Sequence, residues 1–301
     1  MSKHYSLPED SVWFVTGCSS GIGRAFATYL SGGTSYRLVA TARNISSLDY
    51  LPDSSKVLKL SLDISSARGV KEAVSRATSV FGRIDVVINN AGISVYGDTE
   101  TTTDDQSRKM FETNLWGAIN LTREAVRVMR EENPKTGQIG GVVVYMSGYS
   151  ARVGFAGGSY YMATRFGMDG FYESFSNEVL PEWNIHFSVA QPGLVNTNYF
   201  QQNVVLTERH PAYVDPRVAT NQIVAIVKGE ESVNYSGAEP ESLVDIIVDT
   251  VTNGVGGLGI PLRLPLGEDS WVAIERSLKT SLEEHEMLKG VALRATANTE
   301  G

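Results

Sequence analysis

The chain has 301 residues, of which 42% are hydrophobic and 20% charged, a composition typical of a globular protein with a sizeable core. Its formal net charge of −8 speaks against nucleic-acid binding, because neutralising phosphates requires a face rich in lysine and arginine. The single cysteine, Cys18, excludes an internal disulfide and any multi-thiolate metal site, and the four histidines lack the spacing of zinc ligands.

No targeting or membrane-spanning pattern is visible in the sequence. Residues 1–9 contain no apolar core of a signal peptide, and no apolar run approaches the roughly 20 residues that cross a bilayer. Together with the single cysteine, these observations predict a reduced, cytoplasmic setting without a membrane span.

Strands and helices are predicted to alternate from residue 11 to about residue 198. Short apolar runs predict six strands, at 12–15, 37–41, 57–62, 85–88, 141–146 and 185–190. Apolar residues at helical spacing predict helices between them, at about 22–30, 66–81, 104–131 and 159–180. This alternation predicts one α/β domain over residues 1–301, a Rossmann-type doubly wound parallel sheet between two helical layers. In such sheets ligands bind beyond the carboxyl ends of the strands, so the loops there should line a site.

The alternation loosens after Thr197. Residues 198–240 are polar and interrupted by two prolines, which predicts a flap over the substrate. A helix at about 241–252, an apolar segment at 262–266 and a charged helix at about 270–289 follow, and residues 290–301 are expected to form a frayed tail. Several apolar residues of the flap suggest a fairly apolar substrate, although they could equally cover the core: Tyr199, Phe200, Val204, Val205, Leu206 and Tyr213.

A glycine-rich segment, TGCSSGIG at residues 16–23, lies between the first strand and the first helix. Gly17 permits the turn, Gly21 lets the backbone approach a pyrophosphate, and Gly23 allows close helix–strand packing. The helix N-terminus then offers free N–H groups and a partial positive charge to phosphates. Alone, the segment could be a plain strand–helix turn with Cys18 as a small loop residue. As a dinucleotide fingerprint it predicts cofactor contacts by Gly17, Ser19, Ser20, Gly21, Ile22 and Gly23.

Further motifs follow in chain order after the glycine segment. They are Asp63-Ile64, Asn89-Asn90-Ala91-Gly92, Asn114, Tyr161 inside a helix, and Pro192-Gly193-Leu194-Val195-Asn196-Thr197. This ordered set resembles the short-chain dehydrogenases/reductases over about residues 11–285. Residues 261–267, PLRLPLG, extend the similarity to the branch that contains hydroxysteroid and retinol dehydrogenases. The resemblance implies a Rossmann fold and a nicotinamide-dependent exchange between a carbonyl and an alcohol.

The resemblance also implies where the cofactor lies. Asp63 and the neighbouring Ile64 would contact the adenine, and Asn90, Ala91 and Gly92 would pass along the ribose and nicotinamide. Pro192, Gly193, Val195 and Thr197 would hold the carboxamide side. Plainer roles stay open, since Asn89 could tie strands together and Pro192-Gly193 would make a turn in any protein.

The end of the second strand bears on the choice of cofactor. An acid there would accept both ribose hydroxyls of NAD and repel a 2′-phosphate. Ala42 stands at that position, and Arg43 follows with a planar guanidinium that suits a phosphate. Arg43 could instead be a solvated charge. The predicted cofactor is NADP(H).

By resemblance, Tyr161 is the general acid or base, and a basic residue one helical turn later supports it. That residue is usually lysine and here is Arg165. An asparagine, Asn114, would hold a proton-relay water. The serine that orients the substrate would stand at Gly148, which has no hydroxyl, although a local bend could bring Ser147 or Ser150 inward. The predicted catalytic residues are Tyr161, Arg165, Asn114 and Ser147. The resemblance also implies that Tyr161 and Arg165 contact the cofactor, with Arg165 at the nicotinamide ribose.

Two altered positions leave more than one function open. Arg165 keeps a positive charge beside Tyr161 but cannot release a proton, because its pKa exceeds 12. The leading prediction is an NADP(H)-dependent oxidoreductase acting on a fairly apolar small molecule. The alternatives are non-redox isomerisation, elimination or cyclisation of a biosynthetic intermediate, and a non-catalytic nucleotide-binding protein.

The resemblance further implies a homodimer or homotetramer that pairs the helices at 104–131 and 159–180. Apolar residues beyond the needs of one sheet face support this pairing, namely Met168, Phe171 and Phe175, although packing within one subunit would also explain them.

Overall fold

The computed structural model describes residues 5–230 and 237–295. The strands of this part of the chain are β1 Val12–Val15, β2 Arg37–Ala42, β3 Val57–Ser61, β4 Val86–Asn89, β5 Ser94–Tyr96, β6 Gly141–Met146, β7 Ile185–Pro192, β8 Val204–Leu206 and β9 Arg263–Leu266. Seven of them form one sheet in the order β3-β2-β1-β4-β6-β7-β9, and all neighbours are parallel. The chain reverses its direction across the sheet between β1 and β4, which is the switch point of a doubly wound fold. The predicted Rossmann-type architecture is confirmed.

The helices of the described residues lie on both faces of the sheet. They are α1 Gly21–Ser31, α2 Ala67–Phe81, α3 Asp104–Phe111, α4 Ala118–Glu131, α5 Ser159–Glu178, α6 Tyr199–Gln202, α7 Thr220–Lys228, α8 Pro240–Asn253 and α9 Glu268–Leu293. The single helix predicted at 104–131 is interrupted by a π-helical turn, Glu112–Gly117. Helix α9 continues to Leu293, so residues 290–293 of the predicted tail are helical, while residues 296–301 lie outside the described residues.

Two apolar layers hold the helices against the sheet. Trp13 and Phe14 are both fully buried, and as neighbours in β1 they point to opposite faces. Trp13 belongs to the layer under α1 and α8, and Phe14 belongs to the layer under α2, α4 and α5. Three apolar residues of α5 pack into this second layer: Met168, Phe171 and Phe175. Packing within one subunit therefore explains them without subunit pairing.

The segment predicted as a polar flap contains regular structure. Strand β8 pairs in parallel with β5 as a separate two-stranded ladder, and α6 and α7 flank it. The Arg209 guanidinium fixes the segment to the domain, because Nε lies 2.8 Å from Asp98 Oδ2 and Nη1 lies 2.7 Å from Asn221 Oδ1. Residues 231–236 of the predicted flap lie outside the described residues. In the residues described, no helix is long and apolar enough to cross a membrane.

Candidate active site

A cleft of about 670 Å³ opens at the carboxyl ends of the sheet strands, beside the switch point. Loops after six strands line it, as expected for this fold. The predicted site residues that line it are Gly17, Ser19, Ser20, Gly21, Ile22, Arg43, Asp63, Ile64, Asn90, Ala91, Gly92, Ser147, Tyr161, Arg165, Pro192, Gly193, Val195 and Thr197. Gly23 and Asn114 do not line it, and both act on the cleft from behind.

The glycine loop, residues 16–23, forms one end of the cleft. Gly17 and Gly21 have φ values of +73° and +53°, a region that favours glycine. A Cβ on Gly23 would stand 2.3 Å from the carbonyl oxygen of Gly17, so Gly23 permits the close packing of α1 on the loop. Ser20 begins α1 without a side-chain cap, which leaves the N–H groups of the first turn available to an anion.

Side chain–backbone bonds join the loop to the end of β4. Thr16 Oγ1 accepts from the amides of Asn90 and Ala91 at 2.9 and 3.0 Å, and Asn90 Nδ2 donates to the Thr16 carbonyl at 2.9 Å. These bonds fix the two sides of the switch point relative to each other. Asn89 joins β4 to a helix rather than to another strand, because its Nδ2 donates to the Ala118 carbonyl of α4.

The two charged residues expected near an adenosine are both exposed at the same end of the cleft. Among residues 5–230 and 237–295, Arg43 has no ion-pair partner, and the preceding Ala42 closes β2 without an acid. Asp63 Oδ1 accepts from the Ser65 amide and hydroxyl, which orients the carboxylate. This end therefore presents an unpaired guanidinium next to an ordered carboxylate.

Cys18 lies within the loop but is not a reactive group. Its Sγ donates to the Val15 carbonyl, and the side chain is fully buried. Burial raises the pKa of Cys18 to about 12, so the thiol stays protonated at neutral pH.

Tyr161 and Arg165 lie one turn apart on α5, and both are buried in the cleft wall. The Arg165 guanidinium carbon lies 4.7 Å from the ring centre of Tyr161. Its Nη1 donates to the Tyr145 hydroxyl at 2.5 Å and to the Met146 carbonyl at 3.2 Å. Burial by itself lowers the pKa of Arg165, but the phenols of Tyr145 and Tyr161 outweigh it and raise that pKa above its usual range. A permanent cation therefore lies beside the Tyr161 phenol.

Arg165 is larger than the lysine that is usual at this position, and a glycine in the cleft wall accommodates it. A Cβ on Gly92 would stand 3.2 Å from Arg165 Nη2 and 3.3 Å from Asn114 Oδ1. The bare backbone of Gly92 therefore leaves the guanidinium room within the wall of the cleft.

The structure distinguishes the two serines that could replace the missing hydroxyl at Gly148. Ser147 Oγ is buried and has no hydrogen-bond partner in the described part of the chain. Ser150 lines the cleft, and its Oγ lies 2.9 Å from where a Cβ on residue 148 would stand. The hydroxyl of Ser150 thus occupies the space that a side chain at residue 148 would fill. Geometry favours Ser150 over Ser147.

Asn114 lies in the π-helical turn, fully buried behind the cleft. Its Oδ1 accepts from the Ile93 amide at 2.9 Å, and its Nδ2 donates to the Ile93 carbonyl at 2.8 Å. Both polar atoms are thus engaged by backbone, and the side chain holds the loop after β4.

The flap covers the Tyr161 end of the cleft, but only part of it faces inward. Tyr199 and Phe200 line the cleft, whereas Val204 and Leu206 pack into a small cluster with Val95. Two residues of the predicted substrate surface do not line the cleft: Val205, which is 51% exposed, and Tyr213, whose hydroxyl donates to Glu100. An aromatic wall that the sequence did not reveal also lines the cleft: Tyr96, Tyr149 and Phe155.

The fold and this site define a doubly wound α/β protein whose cleft joins a glycine loop to a buried tyrosine and arginine. The family model for short chain dehydrogenase matches residues 11–205, and the chain belongs to this family. It is 36% identical to Oxidoreductase calM of Penicillium decumbens over 95% of this chain and 93% of that protein. It is also 26% identical to Retinol dehydrogenase 8 of Bos taurus, over 83% and 79% of the two chains. A short-chain dehydrogenase from Streptomyces avermitilis has a similar structure, with a TM-score of 0.81 and 29% identity over 95% of this chain and 98% of that one.

Proposed function

We propose that the protein is an NADP(H)-dependent oxidoreductase that interconverts a carbonyl and an alcohol on a fairly apolar small molecule. One observation carries this proposal: a single cleft joins the glycine loop and Arg43 to the buried Tyr161–Arg165 pair. The dinucleotide would donate or accept a hydride at its nicotinamide ring.

The residues at the glycine loop fit a dinucleotide. Gly17 and Gly21 adopt backbone conformations that leave the cleft floor bare, and the uncapped start of α1 offers N–H groups to a pyrophosphate. Asp63 and Ile64 would then contact the adenine, and Asn90, Ala91 and Gly92 the ribose. On the other side, the carboxamide would lie against Pro192, Gly193, Val195 and Thr197.

Arg43 supports NADP(H) over NAD(H). Its guanidinium is free of ion pairs in residues 5–230 and 237–295, and Ala42 supplies no carboxylate that would repel a 2′-phosphate. A phosphate at this point would gain a charged, bidentate partner.

Tyr161 would transfer the proton. In reduction its hydroxyl gives a proton to the substrate oxygen, and in oxidation the phenolate takes it back. Arg165 favours the phenolate through its positive charge, but as a permanent cation it passes no proton onward. We assign the substrate-orienting hydroxyl to Ser150 in place of Ser147, and to Asn114 the positioning of the loop after β4.

The substrate would lie between the aromatic wall and the flap. Tyr96 and Phe155 pack together in the aromatic wall, and Phe200 and Ile223 of the flap also line the cleft. Surfaces of this kind favour an apolar body with one oxygen directed at Tyr161.

We further propose a cytoplasmic homodimer or homotetramer. The buried free thiol of Cys18 suits a reducing compartment. Trp116 in the π-helical turn and Phe166 on α5 are 51% and 45% exposed, and both lie on the helices expected to pair.

The proposal is tested with purified protein, NADPH and a panel of ketones and aldehydes. We expect NADPH fluorescence to change on binding, and NADPH to be consumed with some of the panel. Tyr161→Phe should lower kcat by about 100-fold or more, because it removes the acid, and should leave NADPH binding nearly unchanged. The matched control is Tyr160→Phe, the adjacent tyrosine, which should retain activity. Absence of NADPH binding at any pH, or full activity of Tyr161→Phe, would overturn the proposal.

A second candidate is a non-redox isomerase, lyase or cyclase that uses the same pocket. Gly148 and the phenol-surrounded Arg165 favour it, since a fixed cation beside a phenol suits proton abstraction without hydride transfer. Tight NADPH binding without NADPH consumption by any carbonyl of the panel would support this candidate.

A further inference from the structure

The first turn of α9 is hydrogen-bonded to the segment that ends β7, residues 192–194, which we call the PGL segment. Asp269 Oδ2 accepts from the Leu194 amide at 2.7 Å. The next residue, Ser270, donates through Oγ to the Gln191 carbonyl at 2.6 Å and is fully buried. Two consecutive residues of α9 therefore bind the chain on both sides of the Pro192–Gly193 pair.

Two glycines leave space for the Asp269 carboxylate. A Cβ on Gly193 would overlap both carboxylate oxygens of Asp269, and a Cβ on Gly267 would stand 2.8 Å from Oδ1. Gly267 has a φ value of +96°, a region that favours glycine. A side chain at residue 193 would thus displace the carboxylate from the Leu194 amide.

The PGL segment forms part of the cleft wall and is held from behind. Gly193 and Leu194 line the cleft, whereas Asp269 and Ala238 do not. Asp269 accepts from the Leu194 amide, and the Ala238 amide donates to the Leu194 carbonyl at 2.9 Å. Because the N–H and the C=O of Leu194 are both engaged outside the cleft, the peptide planes on either side of Leu194 are fixed.

A purely structural role for Asp269 would be shared by its neighbour. Glu268 and Asp269 are both acids in the first turn of α9, where negative charge stabilises a helix. Glu268 is exposed and makes no hydrogen bond or ion pair in residues 5–230 and 237–295. Only Asp269 adds a charge-assisted bond to the PGL segment, so the two acids separate helix stability from the position of this segment.

We propose that Asp269 is a positioning residue that holds the PGL segment against the nicotinamide end of a bound cofactor. This role rests on the proposed function, in which the same segment faces the carboxamide. It also explains the position of PLRLPLG, residues 261–267. Strand β9 pairs with β7 and places Leu266 beside Pro192, and this pairing brings the start of α9 to the PGL segment.

The test compares two ligands that differ at the nicotinamide: NADPH, and ADP-ribose 2′-phosphate, which carries a hydroxyl in place of that ring. In the full chain, Asp269→Ala should raise the Kd for NADPH about 10-fold, because the segment that faces the carboxamide loses a charge-assisted hydrogen bond. The Kd for ADP-ribose 2′-phosphate should stay unchanged, because this ligand has no nicotinamide to place. Calorimetric titration measures both values.

The matched control is Glu268→Ala, which removes the other acid of the first turn and should change neither Kd. Asp269→Asn keeps an oxygen that can accept from the Leu194 amide, so its Kd for NADPH should rise only about 2-fold. Gly193→Ala serves if Asp269→Ala does not fold. Its Cβ would displace the carboxylate, so it should weaken NADPH binding and spare ADP-ribose 2′-phosphate.

Three results would overturn the inference. They are an unchanged Kd for NADPH in the folded variants, equal losses for the two ligands, and a loss in Glu268→Ala as large as that in Asp269→Ala. If the unaltered protein bound no NADPH, the proposed function would fail instead, so the two failures are distinguishable.

Discussion

The two ends of the cleft are built from different materials. At the glycine loop the backbone forms the surface, through Gly17, Gly21 and the uncapped start of α1. At the Tyr161 end the surface consists of side chains that come from separate elements: Tyr96 from β5, Tyr161 and Arg165 from α5, and Tyr199 from α6. Tyr145 of β6 lies behind them and accepts a hydrogen bond from Arg165.

The difference explains which end departs from the family pattern. A backbone site fails when a single Cβ is added, so its residue types are fixed by space. A side-chain site can be rebuilt from neighbours. Here Gly148 lacks a hydroxyl, and Ser150 places its Oγ in the vacated space. Arg165 replaces a lysine, and Gly92 leaves room for it.

The largest effect is expected from Gly23→Ala at the backbone end. The added Cβ would stand 2.3 Å from the Gly17 carbonyl and 2.6 Å from Asn90 Nδ2, so α1 must move away from the loop. We expect loss of measurable NADPH binding and a decrease of about 3 kcal/mol in the free energy of unfolding, measured by fluorescence titration and urea denaturation.

The control is Gly290→Ala in the exposed part of α9, where a Cβ meets nothing within 4 Å. This variant should bind NADPH normally, and its free energy of unfolding should rise by about 1 kcal/mol, because alanine has a higher helix propensity than glycine. If Gly23→Ala bound NADPH as tightly as this control does, the glycine-loop end would tolerate an added Cβ. The proposed difference between the two ends would then be wrong.

A smaller effect is expected at the rebuilt side-chain end. Ser150→Ala should lower kcat by about 100-fold, since it removes a hydrogen bond to the reacting oxygen, with little change in KM for NADPH. Ser147→Ala is the matched control and should change kcat little, because Ser147 Oγ is buried whereas Ser150 Oγ occupies the space beside Gly148. Steady-state kinetics on both variants decide between the serines, and a reversed ranking would restore Ser147.

The sequence predicted the sheet and the backbone end well, because both depend on local patterns. The apolar run of β1, the glycines that follow it and the motif after β4 are each contiguous, and the alternation of strands with helices predicts the parallel sheet that the structure shows. The residues that line the glycine-loop end of the cleft could be placed by the same means, since the glycine positions mark where the backbone is exposed.

The Tyr161 end could not be predicted in the same way. The bond between Ser94 and Tyr199 joins residues 105 positions apart, and it depends on the β5–β8 ladder, whose two strands have three residues each. Such short strands leave no periodic pattern. Likewise, the turn that brings Ser150 to the space beside Gly148 follows from tertiary packing, so residue spacing alone could not choose between Ser147 and Ser150.

The smallest effect concerns Arg43, where the backbone end of the cleft depends on a side chain after all. Arg43→Ala should raise the Kd for NADPH by about 10-fold and leave the Kd for NADH nearly unchanged, because only NADPH offers a 2′-phosphate to the guanidinium. Arg68→Ala on α2, where the arginine pairs with Glu72 at the surface, should change neither value. Equal losses for the two nucleotides would mean that Arg43 contacts a group common to both. The choice of cofactor would then lie in the backbone, and the distinction between the two ends would be sharper than proposed.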